Sequence, residues 1–183
     1  MGGSIFVSYR REDSAGHAGR LFDRLRTRFG ADRVFMDVAG IEAGMDFLEG
    51  IERAVGSCDV LLAIIGREWL AATDKQGRRR LDDPNDFVRL ELAAALNRRI
   101  RVVPVLVDGA SMPTADALPE DVRHLTRRQA VELRDTRWDA DTDDLIAALE
   151  KSMETVSPRP VEPIPGGTGG GSRSPTPVPA VEA

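Results

Sequence analysis

The sequence predicts an α/β protein: a mainly parallel sheet of about five strands with helices on both faces. Three observations predict it. Strand-like and helix-like stretches alternate from Ile5 to Met153, the order that builds a parallel sheet through right-handed crossovers. The strand candidates are short, continuous apolar runs, the composition of strands covered on both faces. After Val156 the pattern stops and the composition turns to proline and glycine, so the folded part is expected over 1–153 and a linker or tail over 154–183.

Ile5-Phe6-Val7 is the first such run, broken by the polar turn Ser8 to Asp13, which holds Arg10 and Arg11. In an open α/β sheet ligands meet the protein at the carboxyl ends of strands, so these arginines stand where an anion would be received; two solvated turn residues are the plainer reading. Ser14 to Phe29 carries Ala15, Ala18, Leu21, Phe22, Leu25 and Phe29 at helical spacing, with Asp13 and Ser14 as candidate caps and Gly30 as the stop. Arg33 to Asp37 reads as a second strand, followed by a loop, Val38 to Met45, with two glycines.

Phe47 to Val55 returns to helical spacing through Phe47, Leu48, Ile51 and Val55. Asp59 to Ile65 is the most apolar run in the chain and is the candidate for the sheet centre. The stretch from Gly66 to Asn85 is looser, and its Arg78-Arg79-Arg80 reads as a solvated loop because no aromatic residues are interleaved. Asp86 to Leu96 is helical, with Asp82, Asp83 and Asn85 available as caps. Arg101 to Val107 is a fourth strand, and Pro104 within it removes a ladder donor, which suggests a sheet edge or a bulge. A short helix over Glu120 to Arg127, a half-exposed strand over Ala130 to Leu133 and a terminal helix from Asp139 to Met153 complete the pattern.

Composition excludes several classes. A net charge of −5 argues against a general binder of nucleic acid or of anionic membranes. The single cysteine, Cys58, excludes an internal disulfide and a cysteine-built zinc cluster. No apolar run approaches a membrane span, and Met1-Gly2-Gly3-Ser4 leads into the first strand without room for a signal peptide. The cytoplasm is therefore the expected location. The tail, with its glycine run and repeated prolines, reads as an interdomain linker whose second domain is absent from this chain, and equally as a plain disordered tail.

Glycine-rich nucleotide loops and zinc-binding helices are missing, and His17 and His124 are isolated. Cys58 reads as a buried, inert thiol, and Ser8 and Ser14 lack a nucleophile elbow. No metal site and no bound cofactor are expected. What remains is Glu91, which lies between Phe87 and the apolar stripe Val88, Leu92, Ala95 and Leu96 at 100° per residue. It reads either as a partly buried carboxylate in need of a partner or as an exposed one paired with Arg89 or Arg98.

Ile5-Phe6-Val7-Ser8-Tyr9-Arg10, then Val34-Phe35-Met36-Asp37 leading to Gly40-Ile41-Glu42-Ala43-Gly44, then Phe87 to Leu92, then Val103-Pro104-Val105 resemble in order the sequence boxes of the Toll/interleukin-1 receptor (TIR) domain family. The resemblance covers about Ser4 to Met153. It implies a flavodoxin-like, three-layer α/β fold with a five-stranded parallel sheet, and a loop at Val38 to Met45 that mediates contacts between TIR domains.

It also implies one of two functional classes. Some members act by assembly alone; others, including the bacterial-type NADase branch, cleave the nicotinamide–ribose bond of NAD+ with a glutamate on the helix after the third strand. Glu91 matches that glutamate, and Phe87 stands where tryptophan is usual. Arg10 and Arg11 match an arginine pair at the nucleotide, and Glu42 matches an acidic loop residue near the substrate. On this resemblance NAD+ is a substrate rather than a cofactor, and the site is completed by self-association.

Overall fold

The computed structural model describes residues 3–36 and 47–154. The loop containing Glu42 and the segment 155–183 lie outside the described residues. Five strands form one sheet in the order β2-β1-β3-β4-β5, with β1 Ile5–Ser8, β2 Val34–Met36, β3 Val60–Ile65, β4 Arg101–Val107 and β5 Val131–Leu133. Every neighbouring pair is parallel. The fold is the expected flavodoxin-like α/β arrangement, with β3, the most apolar run, at its centre.

The strands are buried on both faces because helices cover each side. Ile5, Val7, Leu62 and Ile64 pack against helix α1 (Arg11–Phe29) and helix α4 (Trp138–Glu154) through Leu21, Leu25, Leu145 and Leu149. Phe6, Leu61, Ala63 and Ile65 face the other way, onto helix α2 (Phe47–Gly56) and helix α3 (Phe87–Asn97) through Ile51, Val55, Val88 and Leu92. Successive strand residues therefore serve opposite layers, although the run shows no polar alternation. Each fully buried large apolar side chain contributes about 1.5–3 kcal/mol to this packing. Across the first layer, α1 and α4 are also laced by Arg24 with Asp139 and Asp143, and Arg20 lies 4.1 Å above the Trp138 ring.

Five local expectations are corrected. Helix α1 starts at Arg11, three residues early, with a kink at Ser14 (φ −134°, ψ 19°). Asp13 is not its cap: its carboxylate accepts the amides of Gly66 (2.9 Å) and Glu68 (2.8 Å) in the turn after β3. Helix α3 is capped by Asp86, whose carboxylate accepts the Arg89 amide at 3.1 Å, while Asp83 turns back to the Asn85 amide. Pro104 lies in an internal strand, opposite Ala63 of β3. Its missing donor is tolerated because pairing with β5 begins only at Val105, so at Pro104 one flank of β4 has no partner strand. Residues Glu120–Arg127 form a 3₁₀ segment rather than an α-helix.

Candidate active site at the end of β1

The strand order reverses direction between β1 and β3, and the crevice outside their carboxyl ends is where a doubly wound sheet receives ligands. Helix α3 runs along the α2 side of this crevice. Alternation along β1 puts Ser8 on the same face as Phe6, toward α3. The Ser8 hydroxyl donates to Oε2 of Glu91 at 2.6 Å. Glu91 is 6% exposed, so it is the partly buried carboxylate of the two alternatives. Arg89 and Arg98 are paired elsewhere, with Asp121 and Glu52.

A second link joins the same elements one turn earlier. The Arg10 guanidinium forks onto Asp86 with bonds of 2.9 and 3.0 Å, and both side chains are buried. Asp86 also caps α3 and receives Nε of Arg80 at 3.3 Å, and Arg80 reaches Glu12 at 2.9 Å. Arg10, two residues beyond β1, thus lies inside the protein with its fork spent on the helix cap rather than facing a solvent-borne anion. Its Nε is buried with no partner among the described residues. The neighbouring Arg11, on the first turn of α1, is exposed.

Phe87 is 49% exposed, a large aromatic at the margin of a cavity of about 380 Å³ shared with Glu12, Asp74, Arg80, Asn85 and Asp86. Phe87 and Glu91 are four residues apart on α3, so they occupy one helix face. Ser8, Asp86, Phe87 and Glu91 are therefore assembled around the end of β1. Glu42 falls in the stretch outside the described residues.

The arginine triplet is ordered, not merely solvated: Arg78 pairs with Asp74, Arg79 with Asp82 and with the Ala117 carbonyl, and Arg80 joins the Asp86 network. Reading the sequence missed Ser8 and Arg80. Ser8 carried one weak signal, a hydroxyl in register with a core position. Asp86 carried a better one, an aspartate directly before a helical pattern.

Other groups are placed by their surroundings. Burial pushes the Cys58 thiol up to about 12, aided by the nearby Asp59 charge, which leaves it unreactive at neutral pH. Among the described residues there is no group of three or more histidine, cysteine, aspartate or glutamate side chains able to hold a metal ion. No helix among the described residues is long and apolar enough to cross a membrane.

Comparison with known proteins sharpens this picture. A model of the TIR domain matches residues 5–147. The chain belongs to the TIR-domain family. NAD(+) hydrolase sarm1 of Drosophila melanogaster is 28% identical over 155 residues, which is 84% of this chain and 11% of the relative. The chain therefore spans only about a tenth of that relative's length. Among solved structures, the TIR domains of the activated Roq1 resistosome superpose with a TM-score of 0.59 at 15% identity, over 80% of this chain and 99% of that one. A metazoan TIR-STING receptor from C. gigas, in complex with 2',3'-cGAMP, gives 0.52 at 19% identity, over 81% of this chain and 39% of that one. Both likenesses concern the TIR fold alone.

Proposed function

We propose that this TIR domain is an NAD+ glycohydrolase of the NADase branch, cleaving the nicotinamide–ribose bond with Glu91 as the catalytic carboxylate. The observation that carries this reading is the buried Glu91 carboxylate, held by the Ser8 hydroxyl at the end of β1 and one helical turn from the half-exposed Phe87, which borders the neighbouring cavity. The similarity to NAD(+) hydrolase sarm1 supports it.

The chemistry needs only one carboxylate. Ordinary glycoside hydrolysis requires an acid to protonate the departing oxygen and a second carboxylate on the other face. Nicotinamide is joined to ribose as a pyridinium cation and leaves neutral, carrying the electron pair of the broken bond, so no acid is needed. The positive charge passes to the sugar, where an adjacent carboxylate stabilises it as it develops. Water then adds to the anomeric carbon and releases a proton, giving nicotinamide, ADP-ribose and H+; attack by an adenine nitrogen gives a cyclic isomer instead. NAD+ is consumed as substrate.

Phe87 offers its face to the nicotinamide ring, and the half-buried aromatic–cation contact contributes about 0.5–2 kcal/mol. The diphosphate falls to Arg11, which is exposed on the first turn of α1, whereas Arg10 is buried against Asp86. Glu42 approaches the substrate when its loop meets a neighbouring copy, so activity rises with self-association. A domain joined through the proline- and glycine-rich segment would raise the local concentration of copies.

The test is nicotinamide release from NAD+ by purified protein, dilute and crowded, with Glu91→Ala beside it. Release that disappears in the variant supports the proposal. A wild-type protein that releases none when crowded, yet still associates with itself, is a scaffold acting through TIR–TIR contacts.

A further inference from the structure

We infer that Ser8 is a positioning residue for Glu91: its hydroxyl sets the plane of the catalytic carboxylate. This rests on the glycohydrolase reading and adds a residue to it. Three observations converge. Ser8 is the last residue of β1 and is locked in the sheet opposite Ala63, so its backbone is fixed by the central strand. It is 2% exposed and occupies the layer that Phe6 fills one repeat earlier, where a hydroxyl needs a partner. That partner is Oε2 of Glu91, 2.6 Å away, across 83 residues of sequence.

A glutamate side chain has three torsions, and the last, at the carboxyl group, is a broad rotor with no strong minimum of its own. Oxocarbenium stabilisation depends on an oxygen lying near the anomeric carbon, a requirement of orientation rather than of charge alone. A donor fixed to the sheet converts that rotor into a defined plane. Ser8 is itself buried at the end of a sheet strand, so its hydroxyl holds the carboxylate from the protein interior. A hydrogen bond between a hydroxyl and a charged group is of the stronger kind.

The experiment compares Ser8→Ala, Ser8→Thr and Ser8→Cys with wild type and Glu91→Gln, reading kcat and KM for nicotinamide release from NAD+ and the thermal midpoint of each protein. Removing the donor in Ser8→Ala lowers kcat about 10- to 100-fold while KM changes less than about threefold. Ser8→Thr, which keeps the hydroxyl, recovers most of kcat, and Ser8→Cys, of similar size but a weak donor, resembles Ser8→Ala. If Ser8→Ala turns over like wild type while Glu91→Gln is inactive, the positioning role is wrong and the glycohydrolase reading stands. Equal losses in Ser8→Ala and Ser8→Thr would assign the effect to packing and also overturn it. Should Ser8→Ala fail to fold, a wild-type kcat in Ser8→Cys overturns it as well. A wild type that releases no nicotinamide removes both.

Discussion

Replacing Asp86 by alanine removes three contacts at once: the fork from Arg10, the Nε bond from Arg80 and the cap on the Arg89 amide. The largest consequence is a guanidinium left in the interior, since Arg10 is 1% exposed and its Nε already has no partner among the described residues. Breaking a buried pair by removing one partner costs about 3–5 kcal/mol. Loss of the helix cap adds about 1 kcal/mol. Together they remove about 4–6 kcal/mol from a domain whose whole stability is of order 5–15 kcal/mol. Asp86→Asn keeps the cap and one acceptor and is expected to lose less. The double variant Arg10→Met with Asp86→Ala no longer strands a charge and recovers much of the loss. Urea unfolding followed by circular dichroism measures each midpoint at constant slope. An Asp86→Ala protein within about 1 kcal/mol of wild type, or a double variant no better than the single one, would refute the buried-network argument.

Further outcomes are open to measurement. A Cβ on Gly66 would stand 2.5 Å from both carboxylate oxygens of Asp13, so Gly66→Ala is expected to cost about 1–3 kcal/mol by urea unfolding, whereas Gly16→Ala meets nothing within 4 Å and gains about 0.5–1 kcal/mol. Phe87→Ala, at an exposed position, leaves the melting temperature nearly unchanged and weakens NAD+ cleavage about 2- to 30-fold in kcat/KM, with Phe87→Trp restoring it. The hydrogen bonds from Arg134 hold the Asp141 carboxyl well below the usual carboxylate range. Its contribution to stability is therefore complete above the ordinary value of about 3.9 and is lost as pH falls below it. Acid unfolding of Asp141→Asn should lack that part of the pH dependence. Cys58 should resist a thiol reagent at pH 8 in the folded protein and react at the rate of unfolding, and fast labelling of the native state would contradict its burial.

Most of the fold was legible because its signal is local. Ile5 to Val7, Val60 to Ile65 and the helical spacings of α1, α3 and α4 each announce an element within a dozen residues. Errors fell where a side chain had two local choices and a distant partner decided between them. Asp13 looked like a cap for α1, but the amides of Gly66 and Glu68 claim it. Pro104 looked like an edge marker, yet the short reach of β5 leaves room for it inside the sheet.

The candidate site shows the same division. Glu91 and Phe87 were marked by their place on one helix and by the family's boxes. Whether Glu91 faced water or the interior was undecidable from helical angle alone, since it lay at the margin of the stripe. Arg10 shows the reverse case: its position in a turn pointed to an anion, and the fold gave its fork to Asp86 instead.

From the sequence alone came the alternation of elements, the central strand, the family boxes and the identity of the one carboxylate worth suspecting, because periodicity and order are properties of a linear chain. Tertiary structure alone decided that Ser8 meets Glu91 and that Arg10 meets Asp86, across 83 and 76 residues. The physical reason is that a buried polar group must find its partner through space, and only a folded sheet determines which group that will be.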